Sequence, residues 1–552
     1  MMTDSLRIER DVIHADVVIV GGGPAGLACG VHLLGACRER GVSPGTVMVV
    51  DKGACSGAHV LSGAILQPEP FKELLTQQEY ARLPLGTAVA TERFVLLGAR
   101  HSLSAPWVPA PLSSRGWPMT SLSDLTEQLA RIYESRGGEI YHDTPVGGLL
   151  LEEGRVIGVR LTDRGRSRDG TPRPGYQPGA DVLARVVVVA EGAAGPLADR
   201  LLSEGILKPA GCWSSYGLGI KELVRVPARS ENQGVCVHTV GYPLSRKATG
   251  GGFIYGLDED TLAVGLVVGL DYDSPWLEPH TLFRQFKRHR WVRRWIEGGE
   301  VIGYGAKVVP EGGLPAVPQL AGAGVLLVGD AAGLVDPVRI KGVHLGVRSG
   351  MLAAEVIAEC LAAGDFSSPR LQEYETRLKR SAEWQAAARF RKARSWFGLG
   401  LVPAMAATGL SWVTRGWGPP LLRKSRPDRW LQPQPRPPTG TAASRGNMDG
   451  PRGVDLDIAS DLYFSGTRHS EQQPSHISIR DPEVCATKCV PRYGAPCTRF
   501  CPAKVYELDA QTGTIRLQVE NCLHCRTCRL KCPEENIRWE VPEAGGPRYR
   551  RM

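Results

Sequence analysis

The apolar positions of this chain follow two different periods. After Asp16, Val17 to Val20 form an uninterrupted apolar run, as expected of a strand buried on both faces. The run ends in Gly21-Gly22-Gly23-Pro24-Ala25-Gly26, after which Leu27, Val31 and Leu34 recur at helical spacing as far as about Arg40. A second apolar run, Val47 to Val50, closes on Asp51. Strand, glycine turn, helix and strand in that order predict a β-α-β unit on a parallel sheet. Further buried strands are predicted at Ala184–Ala190, before Glu191-Gly-Ala-Ala-Gly195, and at Val325–Val328, before Gly329-Asp330-Ala-Ala-Gly333. Leu122, Leu125, Leu129 and Ile132 predict a helix from an N-cap at Ser123 to a stop at Gly137. Val146–Leu161 reads as a β pair turning at Glu153-Gly154, Arg164–Gly179 as a polar loop, and Tyr216–Leu270 as a strand-rich antiparallel insertion.

Gly21, Gly23 and Gly26 fit G-x-G-x-x-G. The first permits the tight turn, the second lets a pyrophosphate approach the backbone, and the third lets helix and strand pack closely. Asp51 can take the hydroxyls of an adenosine ribose, although it lies further from the glycines than the usual ~20 residues. The second strand-and-turn at Val325–Gly333 places Asp330 where it can accept hydrogen bonds from a ribityl chain. A helix starting near Lys341-Gly342-Val343-His344 can aim its N-terminal amides at the same ligand. Two such grips far apart in sequence suit FAD, whereas NAD alone would not require the second. Lys52–Gly63 is rich in glycine and small residues and can let a flat ring lie close to the backbone; a surface loop is the alternative. Gly250 and Gly251 can likewise expose backbone groups to a ligand, with a bulge or hairpin turn as the alternative.

At 552 residues the chain exceeds one hydrophobic core, so two or three domains are expected. Its net charge of +9 is modest and does not by itself indicate nucleic acid; an anionic membrane or an acidic protein fits as well. Met1–His14 has neither the apolar core of a signal peptide nor the acid-poor composition of a transit peptide, so the mature chain is expected to begin there. Trp396–Val413 is almost wholly apolar but is interrupted by Pro403 and glycines. It is flanked by Arg391, Lys392, Arg394, Arg415, Arg423, Lys424 and Arg426, with Trp396, Trp412 and Trp417 at its edges. It barely reaches the ~17 to 25 residues that span a bilayer. Basic flanks and edge tryptophans predict a helix lying in the membrane interface, with a buried core helix or a spanning helix as alternatives.

Eight of the 14 cysteines lie between Cys485 and Cys532. Cys522-x2-Cys525-x2-Cys528-x3-Cys532-Pro533 is the ferredoxin run, in which three thiolates wrap one cluster and the fourth comes from elsewhere; Cys501-Pro502 is the natural fourth. Zinc would want paired C-x2-C knuckles, and these are absent. Cys485, Cys489, Cys497 and Cys532 can hold a second cluster by the reciprocal arrangement, although their run, C-x3-C-x7-C-x3-C-P, departs from the ferredoxin spacing. Eight basic and three acidic residues lie between Cys485 and Cys532, a balance expected to raise a cluster potential and to attract an acidic redox partner.

Several motifs together resemble the electron transfer flavoprotein–ubiquinone oxidoreductase family along nearly the whole chain. They are Gly21–Gly26, Gly57-Ala-His-Val-Leu-Ser-Gly63, Gly250-Gly-Gly-Phe-Ile-Tyr255, Gly265-Leu-Val-Val-Gly-Leu-Asp-Tyr272, Ile340-Lys-Gly-Val-His344, Arg499-Phe-Cys-Pro-Ala-Lys-Val-Tyr506 and the run at Cys522. The resemblance implies an α/β FAD-binding fold (Rossmann-like, glutathione-reductase-type) with an inserted antiparallel α+β quinone-binding domain and a C-terminal ferredoxin-like iron–sulfur domain. The expected segments are 1–210 and 316–390 for FAD, with a membrane-facing loop at about 65–117, and 211–315 for quinone. A membrane segment at 391–430 and a linker at 431–453 precede the cluster domain, 454–552.

The resemblance further implies FAD held by Gly21, Gly23, Gly26, Asp51, Gly63, Asp330 and Gly342, and quinone near Gly250 and Gly251. One [4Fe–4S] cluster falls on Cys501, Cys522, Cys525 and Cys528. The implied activity is electron relay from reduced electron transfer flavoprotein to ubiquinone, with no catalytic acid or base singled out. The implied setting is a monomer on the cytoplasmic face of a bacterial inner membrane, with the mitochondrial inner membrane as the alternative and no nucleic-acid partner. An isoprenoid double-bond reductase, which would share the flavoprotein fold, and a non-catalytic electron carrier are the alternatives.

Overall fold

The computed structural model describes residues 9–62, 65–108, 110, 112–212, 214–244, 248–339, 341–397, 400–418, 427–435 and 453–552. Gly63, Ile340, Arg423, Lys424, Arg426 and most of the proline-rich linker lie outside them.

Five parallel strands form the centre of the eight-stranded first sheet, in the order Val325–Leu327, Asp181–Val189, Val12–Val20, Val47–Val50, Glu139–Tyr141; Ala321–Gly322, Arg155–Leu161 and Val146–Glu152 join it antiparallel. The C-terminal halves of the two longest, Val17–Val20 and Val186–Val189, are buried on both faces, which is why they carry only β-branched apolar residues. Helices Pro24–Arg40, Leu122–Ser135 and Val343–Ala363 cover the sheet. Pro24–Arg40 and Val343–Ala363 cross almost backbone to backbone: a Cβ on Gly350 would lie 2.2 Å from the Ala25 carbonyl oxygen. The middle helix is capped by Ser121, whose Oγ accepts from the Asp124 N–H at 3.2 Å. This corrects the expected cap at Ser123, whose own N–H and Oγ bond Met552 instead. Val146–Glu152 and Arg155–Leu161 form the expected hairpin. Arg164–Gly179 is not plain loop: Arg164–Arg166 and Pro172–Gln177 pair as a second hairpin, cross-tied by Asp163, Arg166 and Tyr176.

The second sheet has seven strands, in the order Glu300–Pro310, Tyr216–Arg225, Thr261–Gly269, Gly250–Gly256, Val235–Gly241, Thr91–Leu97, Ser102–Ser104. All neighbours are antiparallel except Val235–Gly241 and Thr91–Leu97. Two of its strands thus come from the 65–117 stretch, which sequence alone groups with the first layer. The C-terminal domain packs against this sheet through a shared core in which Leu218, Phe283 and Trp295 meet Phe500 and Trp539. Its own framework is two short antiparallel pairs, Ile477–Ile479 with Ile537–Trp539 and Tyr506–Leu508 with Ile515–Leu517.

The apolar stretch at Trp396–Val413 is broken. Trp396 ends the short helix Ala393–Trp396, and Gly400 (φ +103) starts the helix Leu401–Val413. Among the described residues no helix is long and apolar enough to cross a membrane.

Candidate functional site

A cavity of about 590 Å³ begins at the carboxyl ends of the parallel strands, where ligands of open α/β sheets collect. Gly21, Gly23, Asp51, Asp330 and Gly342 all line it. The three fingerprint glycines have three separate reasons to be glycine. Gly21 sits at φ +111, and a Cβ there would lie 2.4 Å from the Ala190 carbonyl oxygen. A Cβ on Gly26 would lie 2.1 Å from the Gly21 carbonyl oxygen. A Cβ on Gly23 would meet no protein atom within 4 Å: it would enter the cavity, in the space a pyrophosphate needs. The Asp51 carboxylate is fixed by the Gly22 and Gly53 N–H groups, each at 2.6 Å. The Asp330 carboxyl is pushed up by burial, opposed by Lys307.

Buried cations crowd the same walls. Lys52, Lys221, Lys307, Lys341 and Arg526 all line the cavity, and burial pushes each of them down, Lys221 to about 7. Buried cationic groups in such number suit an anionic ligand. His344 Nε2 and His59 Nδ1 are buried in the walls without a protein partner, and burial lowers His344 to about 3, so it is a neutral ring ready to donate or accept. Glycine cradle, ribose carboxylate, cations and unpartnered rings together fit FAD.

From there the cavity continues past Gly250, Gly251 and Gly252 to the helix Leu401–Val413, where Met405, Thr408, Gly409 and Trp412 line it. The glycines open the strand Gly250–Gly256 and pair in unbroken register with Val268 and Val267, which corrects the alternative of a bulge or hairpin turn. A Cβ on Gly250 (φ +133) would lie 2.0 Å from the Val267 carbonyl oxygen, and one on Gly251 2.5 Å from that of Thr239, while both residues face the cavity. Beside them Arg394 binds Asp271 at 2.7 Å and Thr249 at 3.2 Å and stands 3.8 Å from Glu311, a carboxyl that burial pushes up to about 7. His238 Nε2 and the Tyr255 hydroxyl meet at 2.7 Å on the same wall. The outer side of the helix is apolar and exposed: Trp412 is 40% and Val413 71% accessible, with Trp417 beyond it at 70%.

The cluster cysteines stand against the other side of this cavity. Cys501, Cys522, Cys525 and Cys528 are buried together, and after burial the thiols that act on Cys501 are Cys525 and Cys528. The His524 N–H donates to Cys522 Sγ at 3.3 Å, and Thr527 Oγ1 lies 3.4 Å from Cys525 Sγ. Three thiols at C-x2-C-x2-C spacing with a fourth from Cys501 are the donor set of a cubane. Among the described residues, His469, His476 and His524 also bring one ring nitrogen each within 4.8 Å of one another.

The binding loop is itself a cavity wall. Arg526, at φ +66 between Cys525 and Cys528, faces the FAD cavity, donates to the Ala193 carbonyl at 3.0 Å and lies over Trp539. His524 Nδ1 meets Lys52 Nζ at 2.7 Å. Arg526 and Lys531 are buried, which corrects their expected place among partner-attracting charges; Lys488, Arg492, Lys504 and Arg516 are the exposed ones.

Comparisons with known proteins agree with this layout. A family model described as "ETF-QO, ubiquinone-binding" matches residues 216–309, and one described as "Electron transfer flavoprotein-ubiquinone oxidoreductase, 4Fe-4S" matches residues 453–550. The chain is 37% identical over 568 residues to the mitochondrial electron transfer flavoprotein-ubiquinone oxidoreductase of Rattus norvegicus, covering 100% of this chain and 91% of that protein. The chain belongs to the electron transfer flavoprotein–ubiquinone oxidoreductase family. The Homo sapiens member is 37% identical over 569 residues (100% and 91%), and that of Oryza sativa 35% over 547 (97% and 92%).

Among the solved structures it resembles are a geranylgeranyl bacteriochlorophyll reductase-like protein from Thermoplasma acidophilum and a myxobacterial FAD-dependent chondrochloren halogenase. The first aligns with TM-score 0.54 at 18% identity, over 74% of this chain and 94% of its own; the second with 0.50 at 20%, over 70% and 82%. At such identities they show the flavoenzyme fold alone. The chain is an oxidoreductase, and its cofactors are FAD and a [4Fe–4S] cluster. The sequence pointed to the loop that begins at Lys52 but gave no sign of Lys221, Glu311, His238 or Arg526 in the site, because each enters it from a different strand or loop.

Proposed function

We propose that this chain takes electrons from reduced electron transfer flavoprotein and delivers them to ubiquinone at a membrane surface, on which it sits without crossing. The observation that carries the reading is the continuity of one cavity, from the glycine turn at Gly21 past Gly250 and Gly251 to the exposed apolar helix Leu401–Val413. The bound FAD and cluster supply the redox chemistry.

The chain's own residues bind, orient and seal. Gly23 leaves room for the pyrophosphate, Asp51 is positioned for the ribose, and Asp330 and the backbone at Gly342 face the centre of the ligand. Trp412, Val413 and Trp417 supply the apolar face that enters the lipid boundary, and Arg391, Lys392 and Arg415 lie close in sequence to meet its anionic headgroups. A quinone then reaches Gly250 and Gly251 from the lipid without crossing water. Reduction to quinol takes up two protons, and Glu311, near pH 7 in its titration, can hold one beside Thr249 and Gly250. Exposed Lys488, Arg492, Lys504 and Arg516 offer an acidic donor protein a docking face.

The test is the full chain in detergent and in liposomes, supplied with reduced electron transfer flavoprotein and a short-chain ubiquinone. Quinol formation stoichiometric with donor oxidation is expected. Donor oxidation without quinol, or saturation of a prenyl double bond in its place, would overturn the reading.

A further inference from the structure

The four cysteines outside the cluster set also converge. Cys485, Cys489, Cys497 and Cys532 are each only 7–8% exposed and line one small cavity, closed by apolar residues that include Val490, Phe500 and Ile537. Cys485 and Cys489 begin and end a single wide helical turn. The short helix Cys497–Phe500 starts with Cys497 and hands Cys501 to the first cluster. The helix Thr527–Lys531 does the converse: it carries Cys528 for the first cluster and hands Cys532 to this cavity. Each half of the domain thus lends its last thiol, followed by Pro502 or Pro533, to the other half's site.

Buried cysteines are often only packing, but three observations argue for a ligand here. All four are free thiols, so the convergence is not a pair of disulfides. Two donors point at the sulfurs: the Asn536 N–H reaches Cys532 Sγ and the Asn536 side-chain amide Cys485 Sγ, both at 3.3 Å. This repeats the His524 N–H bond to Cys522 Sγ at the first cluster, and N–H donors to sulfur are among the groups that set a cluster's potential. Finally, apart from Tyr506 the other residues that line the cavity are apolar, so the four thiols are its metal-binding donors, the set a cubane takes.

We infer that Cys485, Cys489, Cys497 and Cys532 hold a second [4Fe–4S] cluster, so that this domain carries two. Tyr506 stands between the sites: its ring lines the second cavity, and Cys528 and Cys501 are the thiols that act on its phenol. The turn that carries Cys485 and Cys489 is flanked by exposed Lys488 and Arg492. A cluster held by Cys485, Cys489, Cys497 and Cys532 would supply a one-electron site beside the exposed Lys488 and Arg492, on the way from a docked acidic donor to the thiols that border the FAD cavity.

The full chain, purified anaerobically in detergent, is analysed for iron, acid-labile sulfide, zinc and FAD, then reduced with dithionite for EPR. About eight irons and eight sulfides per FAD are expected from two four-iron centres, with spins integrating to about two and broadened by their coupling. The double variant Cys489→Ala/Cys497→Ala should fall to about four irons and one unbroadened spin while keeping FAD. Should that variant fail to fold, the wild-type metal and spin counts decide alone. About four irons per FAD, or four irons with one zinc, in the wild-type chain would overturn the proposal. Eight irons without quinone turnover would count against the proposed function and leave the second cluster standing.

Discussion

Lys531 is fully buried between Cys528 and Cys532, and its ammonium donates at 2.7 Å to each of three carbonyls, those of Leu270, Tyr272 and Asp428. The first two belong to the end of the quinone-domain sheet and the third to the segment after the apolar helix, so one side chain ties three parts of the chain together. Lys531→Met keeps the length and removes all three donors. Each orphaned buried carbonyl costs about 1–3 kcal/mol. Relief of the desolvated ammonium offsets part of that sum, which places the net loss near the roughly 3–5 kcal/mol seen when one partner of a buried charge network is removed. For the 552-residue chain melting as one unit the change corresponds to roughly 3–4 °C in melting temperature. The assay is thermal unfolding followed by bleaching of the cluster absorbance, with limited proteolysis at the domain junction. Lys488→Met, on an exposed turn, should stay within about 0.5 kcal/mol of wild type and serves as the control. A Lys531→Met chain that melts within a degree or two of wild type and resists protease equally would refute the clamp.

Gly23→Val and Gly26→Ala separate binding from folding. The first places its Cβ in open cavity and should abolish FAD retention with little loss of fold; the second drives a Cβ to 2.1 Å from the Gly21 carbonyl oxygen and should destabilise by about 1–3 kcal/mol or more. FAD per protein and apo-protein melting distinguish them. Glu311 keeps a proton in the folded chain up to about pH 7 that the unfolded chain releases above its ordinary value near 4.5. The folded state therefore binds more protons across that window, and stability falls as pH rises through 7. Glu311→Gln should remove about 2–3 kcal/mol of this pH dependence between pH 5 and 8, as read by denaturant titration. Val413→Asp with Trp417→Asp replaces apolar side chains that are 71% and 70% accessible and worth about 1–2 kcal/mol each on burial, so liposome flotation should drop at least tenfold while melting is unchanged. Equal flotation would remove the membrane reading.

What the sequence revealed and what it hid divide along one physical line. Features built from neighbouring residues were legible: the strand, turn and helix at Val17–Arg40 appear as read, and Cys501, the candidate fourth thiol, lies near Cys525 and Cys528. The Ser123 cap failed for a local reason, since Ser121 is also a hydroxyl residue at a possible cap, and only the bond from the Asp124 N–H to Ser121 Oγ decides between them. The hairpin at Arg164–Gln177 was hidden because its strands are polar and are held by Asp163 and Arg166, which leaves no apolar alternation to read.

The charges were hidden for a deeper reason. Counting eight basic residues between Cys485 and Cys532 treats them as one field, but their effect depends on depth. Lys531 spends its charge on three carbonyls, and Arg526 faces the FAD cavity from inside the cluster loop, so neither can attract a partner from solvent. A buried cation beside a cluster stabilises its reduced form far more than an exposed one, because little water screens it. The exposed Lys488 and Arg492 instead act at long range and fade with salt. The same composition thus carries two separable functions, potential and docking. Raising ionic strength should slow electron entry from an acidic donor while leaving the reduction potential of the first cluster nearly fixed; a parallel shift of both would mean that Arg526 is not sealed from solvent.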